Sequence, residues 1–197
     1  MQFHLFGTSS SELTTRLQDF LERPQIEGFR SRAYWDTHDP ANATIGYGFN
    51  IQEGADNLKL VLQELYGVSG PTITQFITDF RRGISLVQPS TKAAFLQNQT
   101  GFNGQLRSFL DGLIFQDLGR GPFTINTTQA RAVERKILEG YTIDGVGKLG
   151  VLEQLQAFLL RRSLNSAYYP VLNDHETRHS TILLPAGYAL FDGLISM

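Results

Sequence analysis

Two carboxylates nine positions apart, Glu27 and Asp36, head the stretch EGFRSRAYWDTHDPANATIGYGFN, and the hydroxyl of Thr44 follows eight positions later. Glycosidic cleavage needs such a pair. One protonated carboxyl serves the leaving oxygen, and one ionised carboxylate acts as base or nucleophile across the scissile bond. Glu27 suits the acid. It reads as the end of a short helical turn, where the helix dipole disfavours a second negative charge. Ile26 and Phe29 beside it can exclude water and so favour the neutral form, while Arg30 and Arg32 act in the other direction. Asp36, at a strand edge beside a polar turn, reads as the more solvated, ionised partner.

The elements that must position these groups follow from periodicity. Ser9 and Glu12 form a capping box before a helix with Leu13, Leu17, Phe20 and Leu21 on one face. Pro24 breaks that helix, leaving residues 25–27 as a separate turn stopped by Gly28. Alternation then takes over: Ala33 and Trp35 mark one strand, Ile45, Tyr47 and Phe49 a second, and HDPANA the turn between them. Helical spacing returns at Leu58, Val61, Leu62 and Leu65, ending at Gly67. Thr72 with Gln75 caps another helix through Ile73, Phe76, Ile77 and Phe80, with a stop at Gly83. Weaker helical signals lie at 91–98 and 106–115, and GRGPFTIN (119–126) reads as a loop. Asn126 and Gln129 cap a helix through Ala130, Val133 and Ile137 to Gly140, and a last helix is expected over about 149–164. The expected fold is α+β and mostly helical, a single domain over 1–197. A small β-hairpin lobe (about 28–51) precedes a larger helical body (about 55–197).

Composition narrows the function classes. A chain 41% hydrophobic and only 18% charged is of folding composition and is not a disordered one. A net charge of −2 with no long run of one sign gives no electrostatic footprint for nucleic acid. Cysteine is absent, which removes disulfides and thiolate catalysis and leaves the redox compartment open. The start MQFHLFGTSSSEL lacks the basic region and apolar core of a secretion signal. No apolar run approaches the ~18 residues of a membrane span. The expected itinerary is synthesis in the cytoplasm without a signal peptide, then action elsewhere after release or delivery.

Glu27-Gly28-Phe29, the step to Asp36, and Thr44-Ile45-Gly46-Tyr47-Gly48 resemble the catalytic signature of phage-type lysozymes, the T-even phage endolysin kind of glycoside hydrolase family 24. The family pattern is Glu, eight residues, Asp or Cys, five residues, Thr. The resemblance covers roughly residues 17–51. It implies a lysozyme-like fold with Glu27 as general acid, and Asp36, with Thr44 beside it, positioning or activating the attacking water with inversion. The implied substrate is the β-1,4 bond between N-acetylmuramic acid and N-acetylglucosamine in peptidoglycan, with no cofactor and no metal. The setting would be a phage endolysin or a delivered antibacterial effector, and for an effector a cognate inhibitor or immunity protein is the expected partner.

Three departures stand out. Seven residues, not five, separate Asp36 from Thr44; an insertion of two leaves the facing of strand side chains unchanged because their period is two. Phe49-Asn50 stands where many relatives carry His after Gly-Tyr-Gly. The chain is also slightly acidic where many relatives are basic.

Rival readings are available for each feature. Glu27, Asp36 and Thr44 taken singly could be ordinary helix-end and turn-capping groups. Tyr34, Trp35 and Tyr47 could stack on sugar rings or pack a core. His175-Glu176-Thr177-Arg178-His179 matches the H-E-x-x-H zinc motif, but Arg178, Ser180 and the nearby Pro170 and Pro185 make a poor helical context, so a metalloprotease is a remote alternative. A non-catalytic wall-binding or structural module with a lysozyme fold is the nearer one.

Overall fold

A computed structural model describes residues 10–23, 28–53, 55–155 and 157. Contacts divide the chain into two compact units, Met1–Gly150 and Val151–Met197. Every labelled element below belongs to the first. It is a mixed α+β assembly, mostly helical, with two small antiparallel sheets. In order the elements are α1 Ser10–Leu21, β1 Arg30–Trp35, β2 Ala43–Gly46, β3 Phe49–Asn50, α2 Ala55–Tyr66, α3 Pro71–Val87, α4 Lys92–Gln97, α5 Gln99–Leu118, α6 Thr127–Glu139, β4 Gly140–Ile143 and β5 Val146–Leu149. Among the described residues no helix is long and apolar enough to cross a membrane.

The first sheet has the order β1-β2-β3. The alternating stretch yields three strands where two were expected. The chain reverses at Tyr47-Gly48, so that Ile45 faces Phe49 and Thr44 faces Asn50. The cause is local: Gly46 and Gly48 have φ of +67° and +76°, a left-handed conformation that a strand cannot continue through and that glycine adopts without a Cβ penalty. The Gly46-Tyr47-Gly48 run therefore ends a strand where the sequence reading placed it inside one.

β1 lies at the edge of this sheet, and an uncovered edge is a template for unwanted pairing. Three of its outward backbone groups are engaged by other parts of the chain. Ile125 N donates to Ser31 O (2.9 Å), Arg107 Nε to Ala33 O (3.0 Å), and Trp35 N to Asn103 Oδ1 (2.8 Å). The segment 119–126, expected as a plain loop, supplies part of this cover through an antiparallel bridge from Thr124 to Arg32. It also buries Phe123 and Ile125.

The helices follow their apolar faces. α2 buries Leu58, Leu60, Val61 and Leu62, and Gly67 (φ +64°) closes it, its N–H donating to Gln63 O. α6 begins with the expected capping box, Asn126 and Gln129 each satisfying the other's backbone N–H. α3 departs from expectation at both ends. It starts at Pro71 with Gly70 as N-cap, since proline at the first helical position sacrifices no bond, and it continues through Gly83 to Val87. Gly83 belongs to a contact: a Cβ there would lie 2.5 Å from Phe109 Cε2, so glycine lets α5 approach. α5 is much longer than its sequence signal. It packs against both α3 and β1, and burial on two sides blurs a one-face periodicity.

Strands β4 and β5 occupy a stretch expected to be a helix end, a connection and the start of another helix. Asp144 (φ 52°) and Gly145 (φ 77°) make the two-residue turn between them, and Asp-Gly between apolar residues is the strongest short hairpin signal. The hairpin is held to α2 by Tyr141 Oη on Asp56 Oδ2 (3.3 Å), Lys148 Nζ near Asp56 (3.6 Å) and Lys59 paired with Asp144. The helix expected over about 149–164 is present at residues 151–155; its remainder lies outside the described residues apart from 157.

Candidate active site

The Asp36–Thr44 hairpin is built by register. Tyr34 faces Thr44 and Trp35 faces Ala43, and Asp36 N donates to Asn42 O (3.0 Å). Side chains two apart share a face, so Asp36, Tyr34 and Thr44 fall on one face and Ala33 and Trp35 on the other. The seven-residue spacing thus keeps Asp36 and Thr44 on a common face. A row Tyr34–Thr44–Asn50 crosses the sheet on that side.

Asp36 is more enclosed than its sequence context suggests, with its side chain 18% exposed. Its Oδ1 accepts the backbone N–H of Asn42 (2.8 Å) and of His38 (3.1 Å), an Asx turn extended to a second amide. Its Oδ2 meets His38 Nδ1 at 3.0 Å. One carboxylate therefore closes the whole loop from Asp36 to Asn42. Thr44 is 3% exposed, and its hydroxyl donates to Asn42 O (3.2 Å). Both residues do the turn-capping work of the plainer reading, and that work fixes their positions.

The three aromatic residues have different surroundings. Trp35, 2% exposed, is among the largest side chains of the core. Tyr34 is half-buried, with the Arg30 guanidinium 5.5 Å from its ring centroid. Tyr47 sits on the Gly46–Gly48 turn, 9% exposed, its ring 5.4 Å from that of Phe29 and tilted by 53°.

Tyr47 also reaches a charged group absent from the sequence reading. Burial, then the negative charge of Glu22, push its phenol up, while the charge and hydrogen bond of Arg131 oppose them. Arg131 on α6 is paired through two nitrogens with Glu22, whose side chain is 13% exposed just beyond the end of α1. Gln18 of α1 donates to Arg131 O (3.0 Å) and to Glu134 Oε2 (3.3 Å). The turn that follows Thr44 is thereby tied to α1 and α6. Glu22 and Arg131 are 109 positions apart, so only the fold brings them together.

Glu27 lies outside the described residues, as does His175-Glu176-Thr177-Arg178-His179. Both neighbours of the undescribed stretch 24–27 are in place. Arg23 N donates to Phe20 O (3.2 Å) at the end of α1, and Gly28 has φ +63° before β1. Among the described residues no group of three or more His, Cys, Asp or Glu side chains could hold a metal ion. The chain matches no family model, no curated protein and no solved structure.

Proposed function

We propose that the chain is a lysozyme-like glycoside hydrolase, an N-acetylmuramidase that cleaves the β-1,4 bond between N-acetylmuramic acid and N-acetylglucosamine. The observation that carries the reading is the sequence Glu27…Asp36…Thr44-Ile45-Gly46-Tyr47-Gly48 together with a register that puts Asp36 and Thr44 on one face of a short antiparallel hairpin. Glu27 is the proton donor to the leaving oxygen in this account. Asp36 is the opposing carboxylate, and its Oδ1 is fixed by two backbone amides, which is the preorganisation that charge stabilisation requires. Thr44 holds the strand end next to it through Asn42 O. Of the three aromatics, Tyr34 is the one we assign to sugar contact, because it is half-buried where Trp35 and Tyr47 are buried.

The substrate is the glycan strand of peptidoglycan, with no cofactor and no metal in the chemistry. The setting is phage lysis or delivery into a competing cell, the second with a cognate inhibitor protein as partner. A second reading, a wall-binding module without catalysis, is favoured by one observation: Asp36 and Thr44 are both engaged in holding the loop. Mass spectrometry of peptidoglycan digested by the native chain separates the two. Muramidase action gives muropeptides with hydrated N-acetylmuramic acid at the reducing end. Anhydro ends would mean a transglycosylase, and an undigested wall that retains bound protein would mean the binding module. Proton NMR of the first-formed anomer tests inversion, which retained configuration would contradict.

A further inference from the structure

We infer that Arg107 and Arg30 form a carboxylate-recognising subsite beside Tyr34, through which the chain selects acidic, peptide-bearing glycan over neutral glycan. This rests on the assignment of Tyr34 to sugar contact in the reading above, and not on the acid Glu27.

Two guanidinium groups flank that tyrosine. Arg107 of α5 donates Nε to Ala33 O (3.0 Å), the carbonyl of the peptide that leads into Tyr34. Arg30, four positions earlier on β1, places its guanidinium carbon 5.5 Å from the Tyr34 ring centroid. Both arginines are exposed. Arg16, Arg32, Arg82, Arg131 and Arg135 each pair with an Asp or Glu side chain. Arg30 and Arg107 have no such partner among the described residues.

The chemistry of the group then selects the ligand. A guanidinium carries five N–H donors in a planar fork. With Nε of Arg107 on a main-chain carbonyl, its terminal Nη1–Nη2 edge remains, and the spacing of those donors matches the two oxygens of a carboxylate. The bond to Ala33 O also removes side-chain freedom that binding would otherwise have to remove. Net charge does not oppose this. The chain carries −2 overall, but exposed charges are screened over about 8 Å at physiological ionic strength. Groups in contact with the polymer therefore decide its recognition. Peptide-bearing muramic acid units present free carboxylates there, and a neutral glycan presents none.

The test uses purified peptidoglycan, freed of phosphate polymers, and the same material with its carboxylates converted to amides by carbodiimide. Binding is read in the cold by co-sedimentation, and hydrolysis by reducing-sugar release. The native chain should bind the untreated polymer about fivefold more tightly, the upper scale of one exposed ion pair. Arg107→Gln should abolish that preference. Arg135→Gln changes net charge equally at α6 and should keep it. Equal native binding to the two polymers, a preference that survives in Arg107→Gln, or an equal loss in Arg135→Gln overturns the proposal. Should Arg107→Gln lower the thermal midpoint through its bond to β1, Arg30→Gln carries the test, since Arg30 holds no main-chain group; its preference should fall, and an unchanged one overturns the subsite. Hydrolysis separates the two claims. A binding preference without sugar release removes the hydrolase reading and leaves the subsite, whereas release with equal binding to both polymers removes only the subsite.

Discussion

Asp36 closes a loop and, in the proposed mechanism, faces the reacting sugar, and two substitutions pull these duties apart. Asp36→Asn retains an oxygen for the amides of Asn42 and His38 but removes the charge. Its unfolding free energy should stay within about 1 kcal/mol of native, the scale of one net hydrogen bond, while activity is lost. Asp36→Ala leaves both amides without that acceptor and should cost roughly 1–3 kcal/mol, read as a lower denaturant midpoint. Equal stability of the two variants would contradict the loop-closing role. At this scale the sequence was informative where chemistry follows from spacing: Asp36 and Thr44 share a face because strand side chains alternate. It was silent on the enclosure of Asp36, because the second amide and the imidazole reach it only once the loop has folded. The Glu22–Arg131–Tyr47 group was hidden for a different reason. No local pattern marks an ion pair that depends on α1 and α6 packing together.

Helix and strand boundaries were legible where a residue acts locally and illegible where it acts on a neighbour. The Asn126–Gln129 capping box and the Gly67 stop are local, and both stand as read. Gly83 looked like a stop, yet it serves the approach of Phe109. Alanine is the better helix former by about 1 kcal/mol, so on helix propensity alone Gly83→Ala should stabilise α3. Packing predicts the opposite, a loss of about 1–3 kcal/mol from overpacking. Phe109→Leu in the same chain should relieve part of that loss, giving a coupling term in a double-mutant cycle; purely additive effects would contradict the contact. Gly46→Ala meets both a positive φ and the Phe49 ring, whose Cε2 lies 2.7 Å from the added carbon. It should destabilise the β2–β3 turn more than the same change at Gly145, where the added carbon meets nothing within 4 Å. The β4–β5 hairpin shows a signal present and overlooked, since Asp144-Gly145 has the composition that such a turn demands.

For the molecule as a whole, two phenols report on the packing around α2. Tyr66 is pushed up to about 12 by burial and then by the Asp111 charge, and its hydroxyl donates to Pro122 O (3.2 Å). Tyr141 is pushed up to about 12 by burial and by Asp56. Between pH 10 and 12 the unfolded chain therefore holds fewer protons than the folded one, and stability falls as pH rises. Denaturant midpoints should be steady just below pH 10 and decline from there to 12, with a shallower decline in Tyr66→Phe; an unchanged slope in that variant would remove Tyr66 as a cause. The overall class, mostly helical with a small early sheet, was legible because amphipathic periods are properties of short segments. The Thr124 bridge to β1 depends on a partner far along the chain. Function has one more direct test than any of these. Reducing-sugar release from purified peptidoglycan, measured side by side for native chain and Glu27→Gln at equal folded concentration, should fall by at least about 10²-fold in the variant. Equal release from the two would contradict the account at its centre.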